Sequence, residues 1–251
     1  MAPLRLGIIA GSGLEKLLEG VREKIGTPYG SIEASMVKLG EEEALLVPRH
    51  GFNHSVPPHK VNYRANLYAM YLKGVARVIA LSAVGSLREH IKPGQFVVVD
   101  DLLDFTKSRP TTFYEGPRVV HVDMTNPYCP EIRTALVEAC RRLGVDVHVG
   151  GVYVCTEGPR FETPAEIRMF RMLGGDVVGM TGVPEVQLAR ELKLCYATLC
   201  VVTNMAAGMQ ERVTVEEVER VMSRTRPLVL KVLLEASKLI PNERRCSCRG
   251  G

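Results

Sequence analysis

Short apolar segments rich in β-branched residues alternate along the chain with segments of helical periodicity. Apolar runs of this kind, bounded by turn signals, are typical of strands that are buried on both faces of a sheet. The segments that fit are Leu4–Ala10, Ala44–Pro48, Val78–Val84, Phe96–Asp100, Val152–Cys155, Val177–Met180 and Ala197–Thr203. We therefore predict that they form a central sheet.

Five further segments place apolar residues three and four positions apart, as helices do when they cover a core with one face. They are Asn62–Lys73, Pro130–Leu143, Pro164–Leu173, Glu185–Leu192 and Thr214–Leu239. Thr163 followed by Glu166 is the sequence of a capping box at the start of the third helix. Strands that alternate with helices predict an α/β fold with a mostly parallel sheet. We expect one domain over residues 1–251, with a polar, peripheral tail at 244–251.

The composition is that of an ordinary globular protein. Hydrophobic residues make up 46% and charged residues 24% of the 251 positions, and the formal net charge is +4. Basic residues are interspersed with acidic ones and form no block, so we expect no binding to nucleic acid. No apolar stretch has the length of a membrane helix, and the N-terminal apolar run is too short for a signal peptide. We therefore expect a cytoplasmic protein that does not contact a membrane.

Three strand ends carry groups that suit a bound anion. The Gly-Ser-Gly turn at 11–13 follows the first predicted strand and offers backbone N–H groups and a hydroxyl. Arg49 and His50 follow the second strand, and an arginine can bind two phosphate oxygens through its planar fork. Ser82 and Ala83 lie among small residues that let a ligand approach the backbone. Taken singly, the three sites are explained equally well by a tight turn, a salt bridge and close strand packing.

Two stretches carry groups that suit a planar base. The turn at 157–163 places Phe161, which can stack on a ring, beside Glu162, which can accept hydrogen bonds from ring N–H groups. Asn204 ends a buried strand, and its amide can both donate and accept. The alternatives are that Glu162 stabilises the following helix N-terminus by its charge and that Asn204 forms a turn.

Other chemistries lack their motifs. The sequence has no P-loop, no HExxH pair and no CxxC pair, and Cys246-Ser-Cys248 has no second ligand pair at zinc spacing, so we expect no metal. The dinucleotide fingerprint is incomplete, because Lys16 stands where its third glycine belongs. A dinucleotide-binding oxidoreductase and a nucleoside-binding regulatory protein remain as alternatives to a phosphate-using enzyme. Release of a base only when phosphate is added would exclude both.

The order of the motifs is more informative than any one of them. Gly-Ser-Gly, Pro-Arg-His-Gly, Asn-Tyr-Arg-Ala-Asn, Ala-Val-Gly-Ser-Leu-Arg, Glu-Gly-Pro-Arg-Phe and Met-Thr-Gly-Val-Pro-Glu begin at residues 11, 48, 62, 83, 157 and 180. Over nearly the whole chain this series resembles the family of trimeric purine nucleoside phosphorylases and methylthioadenosine phosphorylases. The resemblance implies a nucleoside phosphorylase-like α/β domain, in which helices flank a central twisted mixed β-sheet. It also implies a homotrimer or homohexamer that uses neither a metal nor an organic cofactor.

The resemblance implies roles for individual residues as well. The co-substrate phosphate is expected at Ser12, Arg49, His50, Ser82, the backbone N–H of Ala83, and Thr181. The purine nucleoside is expected to contact Phe161, Glu162, Met180, Asn204, Val215 and Val218, and His121 from a neighbouring subunit. Asn204, Glu162 and His50 are expected to be catalytic. The implied reaction leaves positive charge on the anomeric carbon, which phosphate stabilises and attacks.

The residues that face the base indicate the branch of the family. Relatives that cleave methylthioadenosine carry Thr-Asp-x-Asp where this chain has Thr-Asn-Met-Ala at 203–206. Residues 161–163 repeat the Phe-Glu-Thr of phosphorylases for 6-oxopurines, in which the Glu accepts from the ring N1–H. We therefore expect inosine and guanosine to be substrates, with S-methyl-5′-thioadenosine phosphorylase as the alternative. Val215 and Val218 resemble the apolar wall that accepts a methylthio group, so 5′-methylthioinosine is a further expected substrate, unless both valines face the core.

The cysteines suggest disulfides. Heat-adapted members of the family carry a C-terminal Cys-x-Cys, which Cys246 and Cys248 repeat. A bridge between those two would close a very small ring, whereas a bridge from Cys129 to Cys195 or Cys200 would close a long loop and stabilise more.

Overall fold

The computed structural model describes residues 6–15 and 17–249. Its strands are β1 (Leu6–Ala10), β2 (Gly20–Thr27), β3 (Gly30–Leu39), β4 (Glu42–Pro48), β5 (Arg77–Ser86), β6 (Phe96–Val98), β7 (Asp101–Phe105), β8 (Val147–Val149), β9 (Val152–Thr156), β10 (Val177–Gly179) and β11 (Cys195–Met205). Its α-helices are α1 (Tyr63–Leu72), α2 (Pro130–Arg142), α3 (Pro164–Met172), α4 (Gly182–Glu191) and α5 (Val215–Leu239). Short 3-10 helices cover Pro58–Lys60 and Ser247–Arg249.

One mixed sheet contains these strands. Its main path runs β2-β3-β4-β1-β5-β10-β9-β7, and β11 continues from β5 to β6 and then β8. Around the centre, β1 is parallel to β4 and β5, and β11 is parallel to β5. In contrast, β10 runs antiparallel to β5, and β6 runs antiparallel to β11. The α/β class and the mixed sheet are therefore confirmed.

The core lies on both faces of the sheet. Successive side chains of a strand point to opposite faces, and accordingly Ile8 belongs to one buried cluster and Ile9 to the other. The first cluster includes apolar residues of α2 and α5, and the second includes those of α1 and α4. Helices thus cover each face, which explains why β1, β5 and β11 are buried at nearly every position.

Local sequence explains where the helices begin. The Asn62 side chain accepts the backbone N–H of Ala65 at 3.0 Å and caps α1. Thr163 and Glu166 form the predicted capping box before α3, with bonds of 3.2 and 2.7 Å. Thr214 caps α5 by accepting from a backbone N–H of the first turn. Such caps satisfy donors that the first helical turn leaves without a partner.

The sequence predictions hold for all five helices and all seven strands, except that residues 4–5 lie outside the described part of the chain. Four strands were not predicted: β2, β3, β7 and β8. In β2 most side chains are exposed, and in β7 none is buried. Neither strand carries the continuous apolar run that marks a strand buried on both faces.

The C-terminal segment is held more firmly than expected. Cys248 is buried against the first core cluster, so the prediction of a peripheral tail is wrong for this residue. Arg77, itself buried, donates to the carbonyl oxygens of Pro241 and Glu243 at 2.8 and 3.0 Å. These bonds fix the chain just before the tail. No helix in the described residues is both long and apolar enough to cross a membrane.

Candidate active site

A cavity of ≈ 450 Å³ lies at the carboxyl ends of β1, β4 and β11. That volume suits a small organic ligand, and strand ends of this kind are the usual position for ligands in α/β sheets. Of the thirteen residues predicted to form the site, twelve line the cavity: Ser12, Arg49, His50, Ser82, Ala83, Phe161, Glu162, Met180, Thr181, Asn204, Val215 and Val218.

Arg49 forms a buried ion pair with Glu185. Its Nε and Nη2 donate to the two carboxylate oxygens at 2.5 and 2.8 Å, and its Nη1 donates to Leu81 O at 2.8 Å. Tyr196 donates a further hydrogen bond of 2.8 Å to Glu185. Gly11 makes room for the guanidinium, because a Cβ there would lie 2.9 Å from Nη1. Three of the five guanidinium N–H groups are thus engaged, and the fork that can bind an anion faces Glu185.

His50 is held as one neutral tautomer. Its Nδ1 lies 2.8 Å from Val56 O, and because a carbonyl can only accept, Nδ1 carries the proton. Burial, together with the positive charge of Arg49, lowers the pKa of His50 to about 4. Near pH 7 the ring is therefore neutral, and Nε2 is a hydrogen-bond acceptor.

Tyr153 links Ser82 to Thr181 from below the cavity. Its hydroxyl accepts the backbone N–H of Thr181 at 3.4 Å and lies 3.1 Å from Ser82 Oγ. Burial raises the pKa of Tyr153, so the phenol keeps its proton and can donate it to Ser82. The hydroxyl of Ser82 can then donate to a ligand. Gly179 and Gly182 make room for the ring, because a Cβ on either would lie 2.1 or 3.0 Å from it.

Glu162 and Phe161 are presented by the turn before α3. Thr156 Oγ1 donates to one carboxylate oxygen of Glu162 at 2.6 Å, and burial raises the pKa of Glu162. Phe161 is 37% exposed and contributes to the same cavity wall. Arg160 holds the turn by donating to both oxygens of Glu166 at 2.8 and 2.7 Å.

Asn204 is buried at a β-bulge. The pairing of β11 with β5 skips Thr203, so this residue is the extra one of the bulge. A bulge redirects the neighbouring side chains and is common beside active sites. Asn204 Oδ1 accepts from Thr203 Oγ1 at 2.8 Å, and Nδ2 donates to Met205 O at 2.9 Å. One acceptor site and one N–H of the amide are used, which leaves one of each for a ligand.

An apolar wall closes the cavity on the side of α5. Val213, Val215 and Val218 line it, and the Thr214 cap sets the start of the helix that carries the last two. Val215 is 56% exposed, whereas Val218 is partly buried and also packs against the first core cluster. Val218 therefore takes part in both the cavity and the core.

His121 is the predicted residue that this chain does not bring to its own cavity. It is exposed and lies in a segment without regular secondary structure. Its expected place is the cavity of a neighbouring subunit, and that expectation stays a prediction.

Sequence reasoning assigned no role to several polar residues at the site. Tyr153 lies in a predicted apolar strand and Tyr196 directly precedes another, and no spacing marks their hydroxyls as functional. Glu15 and His54 line the cavity and form an ion pair, and the hydrogen bond to Glu15 raises the pKa of His54. Glu185 stands in one of the quoted motifs, but only the fold shows that it neutralises Arg49.

The expected disulfides are absent from the described residues, in which all seven cysteines are free thiols. Cys200 cannot pair with Cys129, because they belong to the core clusters on opposite faces of the sheet. Cys195 and Cys200 are five positions apart in one strand, so their side chains point in opposite directions. Cys129, Cys195, Cys246 and Cys248 instead share a single cluster.

Comparison with known proteins identifies the family. Residues 5–238 match the model of the phosphorylase superfamily. A 6-oxopurine nucleoside phosphorylase from Pyrococcus furiosus is 53% identical over 98% of this chain and 96% of its own length. An S-methyl-5′-thioadenosine phosphorylase from Thermofilum pendens is 48% identical over 99% of this chain and 97% of its own.

A solved structure has the same fold. Methylthioadenosine phosphorylase from Schistosoma mansoni, in complex with adenine, superimposes with a TM-score of 0.91 at 34% identity. The alignment covers 96% of this chain and 93% of that chain. The family indicated by the order of the motifs is confirmed: this chain belongs to the phosphorylase superfamily, in the group that contains the purine nucleoside and methylthioadenosine phosphorylases.

Proposed function

We propose that this protein is a purine nucleoside phosphorylase that cleaves 6-oxopurine nucleosides with inorganic phosphate. The products are the free base and ribose 1-phosphate, and the reaction takes place in the cytoplasm without a metal or organic cofactor. The observation that carries the proposal is that Glu162 and Asn204 line the same cavity as Ser12, Ser82 and Thr181. Phosphorolysis needs a base site and an anion site within reach of one anomeric carbon.

Phosphate binds at the end of the cavity formed by Ser12, Ser82, Thr181 and the backbone N–H of Ala83. Hydroxyl and N–H donors suit an oxyanion, and the Ser82 hydroxyl is directed by Tyr153. The neutral ring of His50 accepts a hydrogen bond at Nε2 from the P–OH group of hydrogen phosphate and donates none to the anion.

Arg49 adds positive charge beside this site through the two N–H groups that are engaged by neither Glu185 nor Leu81 O. Because Glu185 balances that charge, the site holds phosphate mainly by directed hydrogen bonds. Release of the product sugar phosphate from such a site does not require the separation of an unbalanced ion pair between arginine and phosphate.

Catalysis consists of positioning and of stabilising the leaving base. The bond between the anomeric carbon and the purine nitrogen breaks, and its electron pair stays with the base. The sugar, with Met180 beneath it, gains positive charge that the phosphate anion stabilises before an oxygen attacks the carbon. The departing base gains a proton at N7 from solvent water; Asn204 accepts from this N7–H and donates to the O6 oxygen, while Phe161 packs beside the ring.

Glu162 and Asn204 together select the base. Hypoxanthine and guanine present N1–H, which the Glu162 carboxylate accepts, and O6, to which Asn204 donates. Adenine presents a bare N1 and an amino group, so it would leave these buried groups without partners. A site built on such hydrogen bonds can reject the wrong base by roughly 10⁴-fold or more.

The alternative function is S-methyl-5′-thioadenosine phosphorylase. The apolar wall of Val213, Val215 and Val218 favours it, because that wall suits a 5′-methylthio group better than a hydroxyl. The wall is equally compatible with 5′-methylthioinosine, which keeps the 6-oxopurine base. We therefore propose 5′-methylthioinosine as a substrate alongside inosine and guanosine.

The active unit is a homotrimer or a homohexamer built from two trimers. His121 is exposed on the single chain, and its role at the 5′ end of the sugar requires the cavity of a neighbouring subunit. Light scattering of the purified protein distinguishes the trimer, the hexamer and the monomer.

Phosphate dependence tests the proposed function. Purified protein is incubated with inosine or guanosine, with and without phosphate, and free base and sugar phosphate are quantified. We expect base release only with phosphate, in equal amounts with ribose 1-phosphate. Base release without phosphate would indicate a hydrolase, and binding without release would indicate a regulatory protein.

A further inference from the structure

Four cysteines from three distant parts of the chain meet on the side of the sheet that α2 covers. Cys129 immediately precedes α2, Cys195 is the first residue of β11, and Cys246 and Cys248 lie in the C-terminal segment. The first two and Cys248 are buried, and Cys246 is partly buried. Their four sulfur atoms all lie within 4.8 Å of one another.

The spacing of the sulfurs suits a tetrahedral metal site. Zinc–sulfur bonds of about 2.3 Å place the sulfurs of a regular tetrahedron about 3.8 Å apart. Here Cys246 Sγ lies 3.7 Å from Cys129 Sγ and 3.4 Å from Cys195 Sγ. A disulfide joins two sulfurs at about 2.0 Å, which is much shorter than both of these separations.

Hydrogen bonds fix the three segments independently of the sulfurs. Arg77 pairs with Cys195 in the sheet and donates to Glu131 at 2.7 Å, two residues after Cys129. The other carboxylate oxygen of Glu131 accepts the backbone N–H of Arg245 at 2.7 Å. The same Arg77 holds the carbonyls of residues 241 and 243, as described above. Such outer partners orient the ligands in protein metal sites.

The charges around the cluster suit a metal with four thiolates. Zn²⁺ bound by four deprotonated cysteines carries two net negative charges. The N-terminal end of α2 follows Cys129 directly, and a helix N-terminus stabilises nearby negative charge. The Cys-x-Cys motif is preceded directly by Arg244 and Arg245 in the sequence.

We propose that Cys129, Cys195, Cys246 and Cys248 bind one Zn²⁺ ion in a closed structural site. Four protein ligands leave no open position for substrate or water, so the ion stabilises the fold and takes no part in phosphorolysis. Each thiol loses its proton on binding, so four protons are released for each ion bound. The spacing along the chain gave no sign of this site, because the second ligand pair comes from residues far from the Cys-x-Cys motif.

Titration of reduced, metal-free full-length protein with Co²⁺ and then Zn²⁺ tests this proposal. We expect one Co²⁺ per chain, with thiolate-to-cobalt charge-transfer bands and the strong visible bands of tetrahedral cobalt, and its displacement by one Zn²⁺. Cys246→Ser should weaken binding at least about 100-fold. Cys140→Ala, which removes a buried thiol outside the cluster, should leave one equivalent bound.

Three results would overturn the proposal. The first is the absence of these bands and of bound Zn²⁺ in the reduced wild-type protein. The second is unchanged binding in Cys246→Ser. The third is an unreduced native mass that is metal-free and lower by two or four hydrogens, because that mass would show disulfides. The wild-type titration decides the question even where a variant does not fold.

Discussion

At the scale of the residue, the proposed preference for 6-oxopurine bases depends on Asn204. In Asn204→Asp a carboxylate replaces an amide that donates to O6, and it can accept from the amino group of adenine instead. We expect the ratio of kcat/KM for adenosine to that for inosine to rise by at least about tenfold, the equivalent of one hydrogen bond. Glu162→Ala serves as the comparison, and we expect it to lower kcat/KM for guanosine more than for the other nucleosides. An unchanged ratio in Asn204→Asp would show that Asn204 does not recognise the base.

The ionisation of Glu162 should make kcat/KM depend on pH. Burial raises its pKa above the ordinary 4.5, so as pH falls the carboxylate is protonated and can no longer accept from N1–H. We expect kcat/KM for inosine to decline on the acid side, beginning above pH 4.5, with a lower value but no such decline in Glu162→Gln. Burial and the charge of Arg49 lower the pKa of His50 to about 4, so we expect His50 to titrate below this range. The same acid limb in the variant would assign it to another group.

Arg49 combines a structural and a binding role, and two variants separate them. Arg49→Met leaves the buried Glu185 carboxylate with the Tyr196 hydrogen bond but without its charged partner, which should cost about 3–5 kcal/mol of unfolding free energy. Adding Glu185→Gln removes that charge and should recover most of the stability. The KM for phosphate should stay raised in both variants while the KM for inosine changes less. Recovery of phosphate KM in the double variant would show that Arg49 acts only through Glu185.

At the scale of the element, β9 supports the phosphate site through a single hydroxyl. Tyr153→Phe removes the bond that directs Ser82 and the acceptor for the Thr181 N–H. A lost hydrogen bond of about 1 kcal/mol should raise the KM for phosphate roughly fivefold, with little change in that for inosine. Tyr128→Phe is the matched control, because the buried Tyr128 hydroxyl has no partner among the described residues. Equal effects of the two changes would contradict a directing role for Tyr153.

The elements also show which parts of the fold could be predicted from the sequence. The apolar runs that became β1, β5 and β11 could be predicted because both faces of these strands are buried, and the capping box of Thr163 and Glu166 could be predicted because its bonds are local. The hairpin of β2 and β3 could not be predicted in this way, because most β2 side chains face solvent. The Arg49–Glu185 pair joins residues 136 positions apart, and no local pattern predicts such contacts.

At the scale of the whole molecule, the assembly should affect the sugar end of the site. If His121 reaches a neighbouring cavity, His121→Ala removes a hydrogen bond to the 5′-hydroxyl of inosine, which 5′-methylthioinosine lacks. We expect kcat/KM to fall roughly fivefold or more for inosine and to change little for 5′-methylthioinosine, in an unchanged oligomer. Equal losses for the two substrates would exclude this contact.

The central claim is that this cavity selects a 6-oxopurine nucleoside for phosphorolysis, and one competition experiment tests it directly. Wild-type enzyme with saturating phosphate receives equal concentrations of 5′-methylthioinosine and 5′-methylthioadenosine, which differ only in the base. The initial rates of hypoxanthine and adenine release give the ratio of the two kcat/KM values. We expect hypoxanthine release to exceed adenine release by several orders of magnitude. Adenine released as fast as hypoxanthine would contradict the roles of Glu162 and Asn204 and favour the methylthioadenosine phosphorylase alternative.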